Sequence, residues 1–251
     1  MSVFAHLVEH IADLLQPLFH ASAAAAAIVL FTALVRLLVH PLSRAAARGQ
    51  RARAALQPRI TELKKEHGKD REKFQKALME LHAEEKVSPL SGCLPSLIQM
   101  PAFFLLYHLF SSSAIGGEAN TLLGHKLFAA PLGDRWADAL GDGGLFGPAG
   151  LVYLVLFAVV TVVAGFNYAR TKRTAVVAAP VAGEVGGEQA AALASVAKIM
   201  PFMSFFTLFT VAVVPLAAAL YVVTSAAWSA VERAVLYRDM PGAAPAAAAL
   251  A

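Results

Sequence analysis

The sequence holds a single cysteine, Cys93, in 251 residues. One thiol cannot build an internal disulfide framework or a multi-cysteine metal cage. Charge is scarce too: 15% charged against 58% hydrophobic residues is too apolar a balance for a soluble domain of this length. No Lys or Arg precedes the first apolar run, so the N-terminus lacks the basic region of a secretory signal, and it carries no lipobox cysteine. Acids are nearly missing from the apolar runs themselves. A buried counter-charge for any cation placed there is therefore not expected from the chain.

What is present is long apolar stretches: Ala21–Val39, Leu94–Phe110, Ala149–Tyr168 and Ile199–Leu236. The last holds 38 residues, about twice the ~20 that cross a bilayer, and Pro215 near its middle splits it into two spans. The predicted fold class is an all-α integral membrane protein with five transmembrane helices, at 21–42, 94–111, 149–168, 199–214 and 215–236. Twelve of the 21 Lys and Arg fall in Ser43–Leu94, four in Arg170–Lys198, and Arg233 and Arg238 near the end. Only Lys126 and Arg135 lie in 112–148. The excess of basic residues on one side places the N-terminus outside the cell membrane and the C-terminus in the cytoplasm.

Outside the spans, residues 1–20 carry Val3, Leu7, Ile11, Leu14 and Leu18 at helical spacing, which predicts an amphipathic helix on the outer surface. His6-Leu7-Val8-Glu9-His10 matches H-x-x-E-H literally. With no third ligand and no folded domain around it, it is not read as a metalloprotease site. In the cytoplasmic segment 43–93, Leu56, Ile60 and Leu63, then Phe74, Leu78 and Leu81, form two narrow seams around His67-Gly68-Lys69. They predict an antiparallel helical hairpin with Pro58 in the first turn of its first helix. Residues 112–148 read as an extracytoplasmic loop whose apolar patch, Leu122–Leu132, rests on the membrane surface. Residues 169–198 read as a mobile cytoplasmic loop, and 237–251 as a disordered cytoplasmic tail.

Polar residues recur on one face of every span. Thr32 and Arg36 share the first, Ser96, Gln99, Phe103, Tyr107 and Ser111 the second, and Thr161 and Tyr168 the third, with Asn167 nearby. Ser204 and Thr207 share the fourth, and Tyr221, Ser225, Trp228 and Glu232 the fifth. Any one stripe is explained by ordinary helix-to-helix hydrogen bonding. Arg36 is different, because an arginine at bilayer depth costs roughly 2.5–3.5 kcal/mol unless it reaches water or a partner. Five stripes and one arginine point to a shared hydrophilic groove.

The order of motifs resembles the YidC family of membrane protein insertases. The resemblance rests on Leu34-Val35-Arg36-Leu37 through Pro41-Leu42, the charged hairpin, Ser91-Gly92-Cys93-Leu94-Pro95 followed by Gln99-Met100-Pro101, and Pro215-Leu216-Ala217-Ala218-Ala219-Leu220-Tyr221. It covers about residues 20–238. Three positions depart from the family pattern: Ser88 before Pro89 where Asn-Pro is common, and Ala218 and Val222 where a glycine and an aromatic are usual. The basic C-terminal tail that some relatives use at the ribosome is missing. The resemblance implies five spans around a groove open to cytoplasm and lipid, with Arg36 attracting acidic or polar segments of nascent membrane proteins. Thr32, Gln99, Tyr107, Thr161, Asn167 and Tyr221 are the expected groove residues beside it. No catalytic residue, metal or cofactor is expected. The implied partners are nascent membrane proteins and lipids, with the ribosome and the Sec translocon as further candidates. The rival readings are a small transporter, which should show paired repeats, and an intramembrane protease, which needs a nucleophile facing a base. Neither feature is found.

Overall fold

The computed structural model describes residues 2–67, 70–85, 104–115, 117–182 and 199–238. The chain is mostly helical: α1 is Ser2–Phe19, α2 Ala23–His67, α3 Arg71–Glu84 and α4 residues 104–111. A short α5, Trp136–Gly141, is followed by α6, Pro148–Ala182. A 3₁₀ segment, Met200–Phe205, leads into α7, Phe206–Val213, and α8 is Leu216–Leu236. Gln99, Ser96, Phe103 and the Ser88–Pro101 motif block lie outside the described residues, as do 183–198 and 239–251.

Among the described residues, two helical stretches are long and apolar enough to cross a membrane, one running into α2 and the other Pro148–Lys172. Phe202–Val213 is a shorter apolar helix. Leu34, Leu37 and Leu38 on α2 and Val155 and Val162 on α6 are exposed at the molecule's surface. So many large apolar side chains on two helices form the kind of surface that lipid covers.

The chain forms two compact units. The first comprises Met1–Val39, Gln99–Phe166 and Met203–Val231, and the second His40–Ile98, Asn167–Phe202 and Glu232–Ala251. In the first, small residues let helices approach closely: Ala24, Ala25 and Ala27 on α2 and Ala217, Ala218 and Ala219 on α8 are all buried. They share a core with Ile28, Phe31, Leu109, Phe110 and Tyr153. Helix α1 contributes Val8 and Ala12 to the same core, and Phe4 meets the Phe31 ring edge-on at 6.5 Å.

Residues 112–148 are more ordered than a loop. It forms two small antiparallel hairpins, β1 (Ala114–Ile115) with β2 (Glu118–Ala119) and β3 (Lys126–Leu127) with β4 (Ala130–Pro131). The apolar patch expected on the membrane surface is instead split. Leu122 and Leu132 are buried in the core while Phe128, at the β3–β4 turn, stays exposed. The segment also completes α8. A helix start leaves backbone N–H groups without intrahelical partners, which a buried start cannot leave to water. Leu216 N–H donates to the Asp134 carbonyl at 2.8 Å and Ala217 N–H to the Leu132 carbonyl at 2.9 Å. The preceding Pro215 has no N–H to satisfy. Tyr153 donates its hydroxyl to the same Asp134 carbonyl at 2.6 Å. The Asp134 carboxyl is held above the usual range, first by burial and then by Asp138 and Asp142.

In the second unit, Leu56, Ile60 and Leu81 are buried, with Leu63, Phe74 and Leu78 packed against them. Asp70 caps α3 by accepting from the Lys73 N–H at 3.2 Å, a contact that lowers its pKa. Two expectations about helix ends fail here. Helix α2 runs unbroken through Pro41 and Pro58, so Pro58 is internal rather than in a first turn. Each proline forfeits one backbone hydrogen bond, and the flanking turns carry the helix past it. Helix α6 likewise continues to Ala182, beyond the expected end of its span at Tyr168. Thr171–Ala182 is Ala- and Val-rich with no glycine, and its one proline, Pro180, falls only in the last turn, so nothing before it compels a stop.

Two glycines of α6 give a direct test. A Cβ on Gly150 would lie 2.4 Å from the Gly144 carbonyl oxygen and 2.6 Å from that of Leu145, whereas one on Gly165 meets nothing within 4 Å. Gly150→Ala is expected to lower stability by about 1–3 kcal/mol through overpacking. Gly165→Ala should raise it by up to ~1 kcal/mol, because alanine is the better helix former. Thermal midpoints of the purified protein in detergent check both signs.

Candidate functional site

Arg36 stands on α2 about 20 Å along the helix axis from Ala23, at 1.5 Å per residue. The helix continues through this point because Leu34, Leu37 and Leu38 are good helix formers and no glycine or proline stands between Ala23 and Arg36. Its guanidinium reaches α8. Nε donates to Ser225 Oγ at 3.0 Å, Nη2 donates to the Ser225 carbonyl at 3.2 Å, and Nη2 also contacts Ser225 Oγ. These contacts are to neutral oxygens. They orient the guanidinium, and an arginine cannot shed its proton at any working pH.

Ser225 is available because the α8 stripe faces inward. Tyr221, one turn earlier, is buried with its ring 6.0 Å from Phe110 of α4, and Ser225 itself is buried. Tyr107, one turn before Phe110, is half-buried and packs against the same core. Arg36, Ser225 and Tyr221 thus gather in one region of the first unit, with Tyr107 a helical turn from Phe110.

The other predicted residues are placed differently. Thr32 is 1% exposed and donates its hydroxyl to the Ile28 carbonyl of its own helix at 2.7 Å. It belongs to the packed core, since its one strong donor is used locally. Thr161 is exposed and donates back to the Phe157 carbonyl at 2.7 Å. Asn167 falls in the second unit, where its Oδ1 is buried with no hydrogen-bond partner. Gln99 lies outside the described residues. Ser225 was legible only as a member of a stripe. Nothing in its spacing singled it out from Trp228 as the partner of Arg36.

The second unit holds a further polar pair. Glu232, the one acid of the last apolar run, lies with Oε1 2.5 Å from His40 Nδ1, and its side chain is only 10% exposed. The counter-group for this acid is therefore a histidine at the edge of the first apolar run. That pairing was not foreseen, because His40 reads in sequence as a boundary residue.

The profile of a family described as "60Kd inner membrane protein" matches residues 15–243. A "Membrane protein insertase YidC" of Magnetococcus marinus is 51% identical over 81 residues, 32% of this chain and 15% of that protein. One from Laribacter hongkongensis is 51% identical over 97 residues, covering 39% and 18%, and one from Xylella fastidiosa 46% over 87 residues, covering 35% and 15%. Each match thus spans less than a fifth of the relative's length.

The Arg36–Ser225 contact predicts a specific sensitivity. Ser225→Ala leaves Arg36 the backbone carbonyl but removes the hydroxyl that Nε and Nη2 share. The loss should be about 1–2 kcal/mol, between the value for a charged hydrogen bond and the smaller one typical inside membranes. Ser225→Thr, which keeps a hydroxyl, should lose less. Equal unfolding midpoints for wild type and Ser225→Ala in detergent would show that the hydroxyl carries nothing.

Proposed function

The chain belongs to the 60Kd inner membrane protein family, and from that membership and the Arg36 site we propose that it is a membrane protein insertase. In this reading it spans the cell membrane five times, with its N-terminus outside and its C-terminus in the cytoplasm. The helices enclose a hydrophilic groove open to cytoplasm and lipid. The observation that carries the reading is a guanidinium within an apolar helix, held in one orientation by the hydroxyl and carbonyl of Ser225.

A nascent membrane protein presents a polar outer segment that must cross hydrocarbon, and burying those groups unpaired is what makes crossing slow. A wet groove shortens the dry path. A fixed positive charge inside it lowers the energy of a carboxylate entering from the cytoplasm, because attraction between charges strengthens as the local dielectric falls. The apolar helix of the substrate then moves into lipid along the exposed apolar faces of the spans, and the polar segment is released outside. No bond is made or broken, so the activity needs no catalytic residue. Tyr221 and Tyr107 are the proposed walls near the charge; Gln99, Thr161 and Asn167 are proposed as groove residues on the family resemblance. Thr32 supports the wall from within the packing. Ribosome and Sec translocon are proposed as partners on the cytoplasmic side and in the membrane plane.

Insertion of a small single-span protein into liposomes containing only this chain tests the reading. Arg36→Ala should slow insertion of a substrate with an acidic outer segment by roughly tenfold, the scale of one lost charge-assisted contact of about 1.5 kcal/mol. Arg36→Lys should retain much of the rate, since a point charge suffices to attract a carboxylate. Neutralising the acids of the substrate should remove the difference between wild type and Arg36→Ala. An equal loss for both substrates would refute charge attraction.

A further inference from the structure

Residues 112–148 carry two nearly uncovered aromatic rings, Phe128 at 77% exposed and Phe146 at 78%. One exposed ring on a protein needs no explanation. These two share a placement. Phe128 lies in the β3–β4 turn, and its N–H donates to Ser22 Oγ at 3.1 Å, on the residue just before α2. Strand β3 packs against the same 3₁₀ turn, His20–Ser22. Phe146 stands two residues before Pro148, where α6 starts. Each ring is thus set where one of the two long apolar helices begins.

The backbone at Phe128 makes its ring a costly choice. Its φ is 53°, and that of His20, in the turn that β3 packs against, is 47°. Among the described residues these are the non-glycine positions in the left-handed region. Glycine adopts that conformation freely, whereas a side chain with a Cβ is crowded there. Turn chemistry alone would favour glycine at position 128. A phenylalanine stands there instead, and its ring is spent on no internal packing. Strain of this kind persists where a side chain has work to do outside the fold.

The depth of the two rings says what that work is. On α2 the first large apolar side chains at the surface are Val29 and Leu30, about 10 Å along the axis from Ser22. On α6 the first is Leu151, about 5 Å past Pro148. Lipid covers those helix faces, so both rings stand at the edge of the hydrocarbon. Aromatic side chains collect at that depth in membrane proteins. We infer that Phe128 and Phe146 insert into the headgroup–acyl boundary of a phospholipid bilayer and fix the depth at which α2 and α6 enter it. Lipid rather than protein is the occupant, because each ring adjoins the end of a helix whose exposed apolar face continues into the bilayer. The inference needs only that the chain lies in a membrane, so it and the insertase reading can fail separately.

The test places a reporter at each ring. Phe128→Trp and Phe146→Trp, conservative changes at exposed positions, are read in the full chain in phosphatidylcholine nanodiscs. The emission of Trp136 and Trp228, measured in the wild type, is subtracted. Phosphatidylcholine brominated near the top of its acyl chains should quench each added indole several-fold more than aqueous iodide does. Quenching by iodide alone would place the ring in water and overturn the inference. Protection from both quenchers would mean that protein covers the ring, a second copy of the chain included, and would overturn the lipid assignment. Phe146→Asn should also lower the thermal midpoint in these discs by ~2–4 °C, and an unchanged midpoint would overturn the anchoring role.

Discussion

Hydrocarbon offers no hydrogen bonds, so every polar group taken below the headgroups must bring its partner from the chain. This constraint explains the most specific contact in the protein. Arg36 could not stand on an apolar α2 without an answering surface, and the answer is a stripe on α8 separated from it by 189 residues of sequence. On α8 the hydroxyl and the carbonyl of one residue, Ser225, both take the guanidinium, and two acceptors fix its orientation where one would leave it free to turn.

The same constraint governs the N-terminal end of α8. Its first residues are enclosed on all sides, and Leu216 through Ala219 have no exposed surface. A helix start in such a place needs acceptors for its leading N–H groups, and the carbonyls of Leu132 and Asp134 supply them. The segment before α6 is therefore part of the scaffold that positions Ser225. Residues 216 to 225 belong to one unbroken helix, so a shift at the Asp134 carbonyl would move the partner of Arg36. Tyr153, bound to that same carbonyl and flanked by Trp136 at 5.5 Å between ring centroids, fixes it from the third side.

Those two features differed in how readily the sequence disclosed them. Helix α8 follows Pro215 and ends with its apolar run at Leu236, and its polar residues recur at helical spacing, so the sequence exposed both its extent and its inward face. The seam of Leu56, Ile60 and Leu81 was legible for the same reason. The two outer hairpins were not, because strands of two residues are too short to show an alternating pattern. The continuity of α2 through Pro41 and Pro58 and of α6 past Tyr168 was missed because a composition change was taken for a structural boundary. A helix has no reason to stop where its composition changes while its backbone bonds are internally satisfied. The pairing of Arg36 with Ser225 is a tertiary fact. The stripe supplied several candidates, and only the placement of two distant helices selects one.

The unbroken passage of α2 through Pro41 and Pro58 bears on how the molecule can work. A proline removes one rung of the hydrogen-bond ladder and clashes with the preceding turn, so it marks the softest points of an otherwise stiff rod. Pro41 follows Arg36 by five residues and adjoins His40, which holds Glu232. The charged site and the soft joint thus lie within about two turns of one helix. The Arg36–Ser225 contact resists displacement on one side of Pro41, and the charged segment that ends at His67 extends from the other. The proline removes one backbone bond from α2 while the side chain of Arg36 is held to α8, so the ladder is weakened beside the contact with Ser225 and not at it.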